Sequence, residues 1–152
     1  MTEWKEQANE WMRIAYSAKT SQLLPKYQYH ILDRCLRGAS DIISCESTSV
    51  HSNTSSLIQW CKLWSDKALH QYYQVREELT EQRLGKPPTH RQICNARDST
   101  NKRWFTCEHE YPLVIPKKGV RDQDWTMQQL SDWMWTYSKV TIILNSENDR
   151  LL

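Results

Sequence analysis

Residues 53–85 read NTSSLIQWCKLWSDKALHQYYQVREELTEQRLG, and this stretch decides the predicted fold. Its apolar residues recur at steps of three and four, which is the period of an α-helix with one buried face. They are Leu57, Cys61, Trp64, Ala68, Tyr72, Val75 and Leu79. Thr54 or Ser55 can cap the start of such a helix, and Gly85 can end it. The spacing therefore predicts one long central helix over about residues 55–84.

Two further amphipathic helices are predicted before this stretch. Residues 2–19 carry their apolar side chains on one helical face. Pro25 suits the first position of a second helix, because its missing N–H needs no partner there. We expect this second helix to run to about Arg37 and to end at Gly38, with one or two more turns over residues 39–45.

The region after the central helix is predicted to be short and irregular. Thr89 can cap a short helix over residues 89–98. Residues 104–107 and 111–115 are rich in aromatic and β-branched side chains, which favour strands. We therefore expect a small β-hairpin or an irregular insert at about residues 100–116.

A final helix is predicted near the end of the chain, after a turn at residues 117–119. Asp122 or Asp124 opens it, and its apolar residues again recur at steps of three and four. Residues 140–144 can be either helix or strand, because β-branched side chains favour strands. The polar residues 145–152 are expected to be frayed.

The bulk composition predicts a mainly α protein with a single domain over residues 1–152. Four to five helices would form a bundle around the central helix, and residues 46–56 would be a flexible Ser/Thr-rich loop. The start of the sequence does not resemble a signal peptide, and no apolar run is long enough to span a membrane. Five cysteines without a secretion signal favour reduced thiols, and hence the cytoplasm or the nucleus.

Four residues have a spacing that can hold a metal ion. His90 and Cys94 are four apart, so they share one face of a helix, and Cys107 and His109 share one face of a strand. Two imidazoles and two thiolates form a ligand set that structural zinc prefers. The sequence thus predicts a zinc ion that holds the region 90–109 together; alternatively, the cysteines are small buried apolar residues.

The last helix is unusually rich in aromatic residues. Trp133 and Trp135 are two apart, and therefore about 200° apart around a helix, so they cannot both face the same core. Exposed Trp and Tyr are typical anchors of protein interfaces. The predicted partner-binding residues are Trp125, Trp133, Trp135 and Tyr137. The partner is a protein of unknown identity or a second copy of this chain.

Nucleic-acid binding is the alternative function. Two clusters combine cations with aromatic rings, which can neutralise phosphates and stack on bases. They comprise Lys26, Tyr29, Arg34 and Arg37 in one cluster, and Lys102, Arg103 and Trp104 in the other. The net charge of +2 is too small to indicate a polyanion-binding surface by itself.

A small enzyme is the third possibility, but common catalytic and phosphate-binding motifs are missing from the sequence. Eight Trp and seven Tyr stand against one Phe and three Gly. This imbalance suits a small viral protein with an unusual coding history. We therefore expect a non-enzymatic interaction module, in particular a virus-encoded accessory or regulatory protein that acts on a host protein.

Overall fold

The computed structural model describes residues 2–50 and 54–147. It confirms that the protein is mainly helical and carries a small three-stranded sheet in the described residues. The helices are α1 Glu3–Ser17, α2 Pro25–Cys45, α3 Thr54–Trp60, α4 Asp66–Gln82, α5 His90–Cys94, α6 Val114–Asp122 and α7 Met127–Tyr137, and a short 3-10 helix, Ala18–Thr20, follows α1. The strands are β1 Leu63–Trp64, β2 Phe105–His109 and β3 Val140–Leu144.

The chain divides into two compact units. The single domain over residues 1–152 stays a prediction. Unit 1 comprises residues 1–52 and 109–140, and unit 2 comprises residues 53–108 and 141–152. Unit 1 contains α1, α2, α6 and α7. Unit 2 contains α3, α4, α5, β1 and most of β2 and β3.

Unit 1 is a helical assembly with a continuous apolar core. The predicted faces of α1 and α7 are the ones that turn inward, since Met12 and Met134 are both fully buried. The other members of the core are Ala8, Ala15, Leu32, Cys35, Leu36, Ala39, Ile42, Leu113, Val120 and Leu130. Burial of this apolar surface is the main force that holds the four helices together.

Gly38 does not end α2, contrary to the prediction. The helix continues for seven more residues and stops at Cys45, where Glu46 takes a left-handed conformation with φ of 50°. A Cβ atom at Gly38 would lie 3.4 Å from the indole of Trp11 on α1. The glycine therefore serves a close approach of two helices, which is its other common role.

The hairpin predicted from residues 111–115 is also wrong. Residues 114–122 form α6, which includes the expected turn at 117–119, and β2 lies beside β3 in the sheet instead. The final helix starts later than predicted because Thr126 caps it. The Thr126 hydroxyl accepts from the Gln129 N–H and the Gln129 side chain accepts from the Thr126 N–H.

The long central helix of the prediction is broken in unit 2. Residues 61–65 leave the helical conformation, and Leu63 and Trp64 pair in parallel with Thr141 and Ile142 of β3. Ser65 then starts a new helix, because its Oγ accepts from the Ala68 N–H at 3.1 Å. The sequence SDKA carried this cap signal, but the unbroken apolar period concealed it.

The start of α5 and the end of α4, both in unit 2, agree with the sequence prediction. Thr89 caps α5 with a reciprocal bond to Gln92, as the prediction of its cap required. After α4, Leu84 and Gly85 both have positive φ, and the Gly85 N–H donates to the Thr80 carbonyl. This is a Schellman-type end of a helix.

The two regions predicted to be flexible are described only in part. Of the loop 46–56, residues 46–50 are non-helical and 54–56 belong to α3, while 51–53 lie outside the described residues. Of the tail 145–152, residues 145–147 are described. The side chain of Glu147 accepts from the Ser65 hydroxyl at 2.8 Å, within unit 2.

Candidate partner-binding surface

An open groove of about 420 Å³ runs along the exposed side of α7 in unit 1. It is lined by Trp125, Gln129, Asp132, Trp133, Thr136 and Tyr137. Three of the four residues predicted to bind a partner, Trp125, Trp133 and Tyr137, thus meet in one surface feature. The polar side chains of Gln129, Asp132 and Thr136 share the lining with these rings, so the groove offers both aromatic surface and hydrogen-bonding atoms.

Gly119 fixes the position of Trp125. A Cβ atom added to this glycine would lie 2.2 Å from the Trp125 indole, which is a steric clash. The ring therefore packs directly on the backbone of α6. The backbone N–H of Trp125 also donates to the Gly119 carbonyl at 3.0 Å. The sequence placed Gly119 in a turn, and no local signal indicated that its missing side chain makes room for an aromatic ring.

Trp133 and Tyr137 stand one helical turn apart on α7, and their ring centroids are 5.5 Å apart. Tyr111 extends this row, because its ring meets Tyr137 edge to face at 4.8 Å. Tyr111 and Tyr137 remain 40% and 38% exposed. The prediction missed Tyr111, which it placed in a strand; only the fold brings it to α7.

Trp135 does not join the groove. Its indole N–H donates to Asn9 Oδ1 on α1 at 3.1 Å, and its ring lies 6.0 Å from that of Trp4. Trp135 therefore packs α7 against α1, while Trp133 lines the groove; both rings are half-buried and also pack against the core of unit 1. The separation follows from the helical angle between positions two apart.

The structure brings two of the predicted zinc ligands together. In unit 2, Cys94 Sγ lies 3.4 Å from His90 Nε2. However, both imidazole nitrogens have other partners: the Tyr72 hydroxyl lies 2.7 Å from Nδ1, and the Gln59 carbonyl lies 2.9 Å from Nε2. In this arrangement His90 joins α3, α4 and α5 by hydrogen bonds.

The cysteine of this pair is poorly suited to bind a metal or to attack a substrate. Cys94 is fully buried, and this burial raises the pKa of its thiol to about 12. The thiol thus stays protonated at neutral pH, whereas metal ligation and nucleophilic attack need the thiolate. Cys94 and His90 form a close thiol–imidazole pair, but a protonated thiol is a weak nucleophile.

Of the other two predicted ligands, Cys107 belongs to unit 2 and His109 to unit 1. Burial lowers the pKa of His109, and the charge of Arg37 lowers it further. Across residues 2–50 and 54–147, no three His, Cys, Asp or Glu side chains are grouped so that they could hold a metal ion. The four-ligand zinc site remains a prediction.

The first basic-aromatic cluster lies on α2 in unit 1, and one of its three cations, Arg37, forms an ion pair. The Asp33 carboxylate accepts from Lys117 at 2.6 Å and from Arg37 at 3.2 Å. Burial raises the pKa of Asp33, but the Lys117 hydrogen bond and the Arg37 charge outweigh burial, so the pKa lies below its ordinary value. Arg37 is therefore engaged by a carboxylate within the fold.

Tyr29 in this cluster is flanked by cations that the prediction did not include. Lys117 Nζ and the Arg121 guanidinium lie 5.5 and 5.1 Å from the centre of its ring. Lys26 lies over the neighbouring Tyr27, and Arg34 is exposed. Because two cations already contact the Tyr29 ring, stacking of a base on it would require their displacement.

The second basic-aromatic cluster lies in unit 2, next to an ordered turn. Lys102 N–H donates to Asp98 Oδ1, and Arg103 pairs with Arg97 in an antiparallel bridge. The Asn145 side chain donates to the Arg103 carbonyl, and Trp104 is half-buried. These contacts give the segment a structural role, and the nucleic-acid alternative stays a prediction.

Comparison of the chain with known protein families, with curated proteins and with solved structures finds no significant match. In the described ranges, no helix has both the length and the apolar character needed to cross a bilayer.

Proposed function

We propose that this protein is a non-enzymatic interaction module that binds a protein partner through the groove on α7. The observation that carries the proposal is the meeting of Trp125, Trp133 and Tyr137 in one open groove. Trp and Tyr are enriched among the residues that dominate binding energies, because they bury large areas and lose few rotamers.

Local packing supports the proposal, because it holds the rings before any partner arrives. Trp125 rests on Gly119, and the reciprocal cap between Thr126 and Gln129 fixes the start of α7 beneath it. A preorganised surface loses less conformational entropy on binding than a mobile one. Solvent-exposed rings with no such support would be a weaker basis for an interface.

The composition supports a finer proposal, that of a virus-encoded accessory protein whose partner is a host protein. The proposal needs no zinc, and His90 is hydrogen-bonded to Tyr72 and Gln59 instead. Self-association through the same groove is a distinct outcome, and the molar mass in solution measures it directly.

An affinity capture experiment with mass spectrometry tests the function. Wild-type protein, the variant Tyr137→Ala and the control Tyr27→Ala are compared as baits, since Tyr27 is also exposed but lies on α2. We expect Tyr137→Ala to lose at least one partner that Tyr27→Ala retains, at equal bait folding by circular dichroism. An identical set of captured proteins from all three baits would contradict the proposal.

Light scattering after size-exclusion chromatography separates the two kinds of partner. If the wild type is a dimer and Tyr137→Ala is a monomer, the groove binds a second copy of this chain. If both are monomers and capture differs, the partner is another protein. Each result identifies what the groove binds.

A further inference from the structure

The groove has a chemistry that selects among protein partners. Resting on the function proposed above, we infer that it binds an extended segment of polyproline II conformation that contains proline and a basic residue. Four properties of the groove lead to this inference: its lining, its length, its charge and its rigidity.

The lining favours proline rings over the side chains of an amphipathic helix. A helix that docks in a groove inserts aliphatic anchors, which need an apolar floor. The six lining residues include two Trp and one Tyr but no Leu, Ile, Val or Met. Grooves lined by aromatic rings are the surfaces on which proline-rich segments dock.

The length of the groove agrees with a short extended segment. Helix α7 has 11 residues, and at 1.5 Å per residue it is about 17 Å long. A polyproline II segment rises about 3.1 Å per residue, so about five or six residues would cover the row from Trp125 to Tyr137. Its three-residue repeat returns side chains to the same face about every 9 Å.

The charge of the groove calls for a basic residue in the ligand. Asp132 is the one charged residue in the lining, and Gln128 Nε2 donates to its Oδ1 at 2.8 Å. This hydrogen bond orients the carboxylate, which lines the same groove as Trp133. A Lys or Arg next to a proline could then pair with Asp132 while its stem lies along an indole.

The rigidity of the groove matches a ligand that is itself preformed. Trp125 cannot settle deeper, because it already touches the backbone of Gly119. A polyproline segment has little conformational entropy left to lose. Two partners that are both preorganised can bind usefully through a small area.

A peptide titration followed by nuclear magnetic resonance tests the inference on the full chain. The probe is acetyl-(Pro-Pro-Lys)3-amide, and the controls are acetyl-(Ala-Ala-Lys)3-amide and acetyl-(Pro-Pro-Glu)3-amide. We expect saturable shifts of the Trp125 and Trp133 indole N–H signals, with a Kd on the order of 100 µM. The Trp135 signal should stay in place, because that indole is bonded to Asn9.

Variants assign the binding to the groove. Tyr137→Ala should weaken binding of the proline-lysine probe about tenfold, and Tyr27→Ala should leave it unchanged. Asp132→Lys, an exposed change that is expected to leave the fold intact, should reverse the preference between the lysine and glutamate probes. Retention of the lysine preference in Asp132→Lys would overturn the assigned role of this carboxylate.

The failure of this inference can be told from failure of the proposed function. If the alanine probe binds as well as the proline probe, or if no probe shifts Trp125 and Trp133, the inference is wrong. The proposed function survives that result when Tyr137→Ala still loses a captured partner. If capture is also unchanged, both are wrong.

Discussion

Helices α2 and α4 are similar in length but differ sharply in how they are covered. Helix α2 has 21 residues, nine of which are buried, whereas α4 has 17 residues and buries Ala68 and Val75 alone. The sequence predicts a central helix over about residues 55–84, which include α4, yet α2 is the more deeply buried helix. The comparison shows that a regular stripe predicts which face is covered, but does not predict how widely it is covered.

Small residues explain much of the difference. Gly38, Ala39 and Ser40 on α2 are all buried, and small side chains let a neighbouring helix approach closely. Helix α4 instead presents Leu69 and Tyr73 to solvent, at 42% and 53% exposure. The Tyr72 ring does pack in unit 2, edge to face against Trp64 at 5.4 Å. Helix α4 is therefore packed against the rest of unit 2 along a narrow strip of its surface only.

The largest effect on stability is expected when a leucine of α2 is replaced by alanine. The same replacement in α4 serves as the comparison. Leu36 on α2 is fully buried, so Leu36→Ala should lower the free energy of unfolding by about 2–5 kcal/mol. The matched change Leu69→Ala on α4 should alter it by less than about 0.5 kcal/mol. Urea denaturation measures both. Equal losses would mean that α4 is covered as fully as α2.

The polar contacts of α2 should also matter more than those of α4. Asp33→Asn leaves the nearly buried Lys117 without its carboxylate and should cost about 1–2 kcal/mol at pH 7. The control Glu78→Gln, on an exposed position of α4, should have almost no effect. Chemical denaturation of each variant beside the wild type provides the values.

The Asp33 effect has a defined pH dependence. Because the folded pKa of Asp33 lies below its ordinary value of 3.8, its charge stabilises the fold above that pH. The contribution falls as the pH drops through the folded pKa. The difference between wild type and Asp33→Asn should thus be equal at pH 7 and 5 and smaller at pH 3. A difference that grows on acidification would exclude this ion pair as its source.

A cap substitution tests the break that separates α3 from α4. Ser65→Ala removes the acceptor for the Ala68 N–H and the donor to Glu147, and should cost about 1 kcal/mol. Ser65→Thr keeps the hydroxyl and should retain most of the stability. If residues 61–65 were helical instead, alanine would be the better helix former there, and Ser65→Ala would stabilise the protein.

The smallest effect is expected at the end of α4. Leu84 is 98% exposed with φ of 56°, so its side chain gains little from burial while its backbone is strained. Leu84→Gly should raise the free energy of unfolding by about 0.5 kcal/mol, since glycine adopts this conformation readily. Thermal and urea unfolding measure the gain. A loss of stability would mean that Leu84 makes an apolar contact.

Part of the candidate surface was accessible to prediction. The aromatic spacing in residues 125–137 predicts an interface, and Trp133 lines the groove while Trp135 does not. Both indoles nevertheless pack against the core of unit 1, although the sequence predicts that they cannot face the same core. The spacing did not reveal Tyr111, which reaches Tyr137 through a contact between residues distant in the chain. The role of Gly119 was equally hidden, because the space beside a glycine is visible only once the neighbouring ring is placed.

Local features were predictable from the residues alone: the mainly helical class, the start of α2 at Pro25, the cap at Thr89 and the inward faces of α1 and α7. Short-range hydrogen bonding and side-chain periodicity govern these features, and both act within a few residues. Only the tertiary structure decided that residues 61–65 leave the helix, that Gly38 lies inside α2 and that Val140–Leu144 is a strand. Each depends on a partner distant in sequence, β3 for β1 and Trp11 for Gly38, whose packing outweighs local preference.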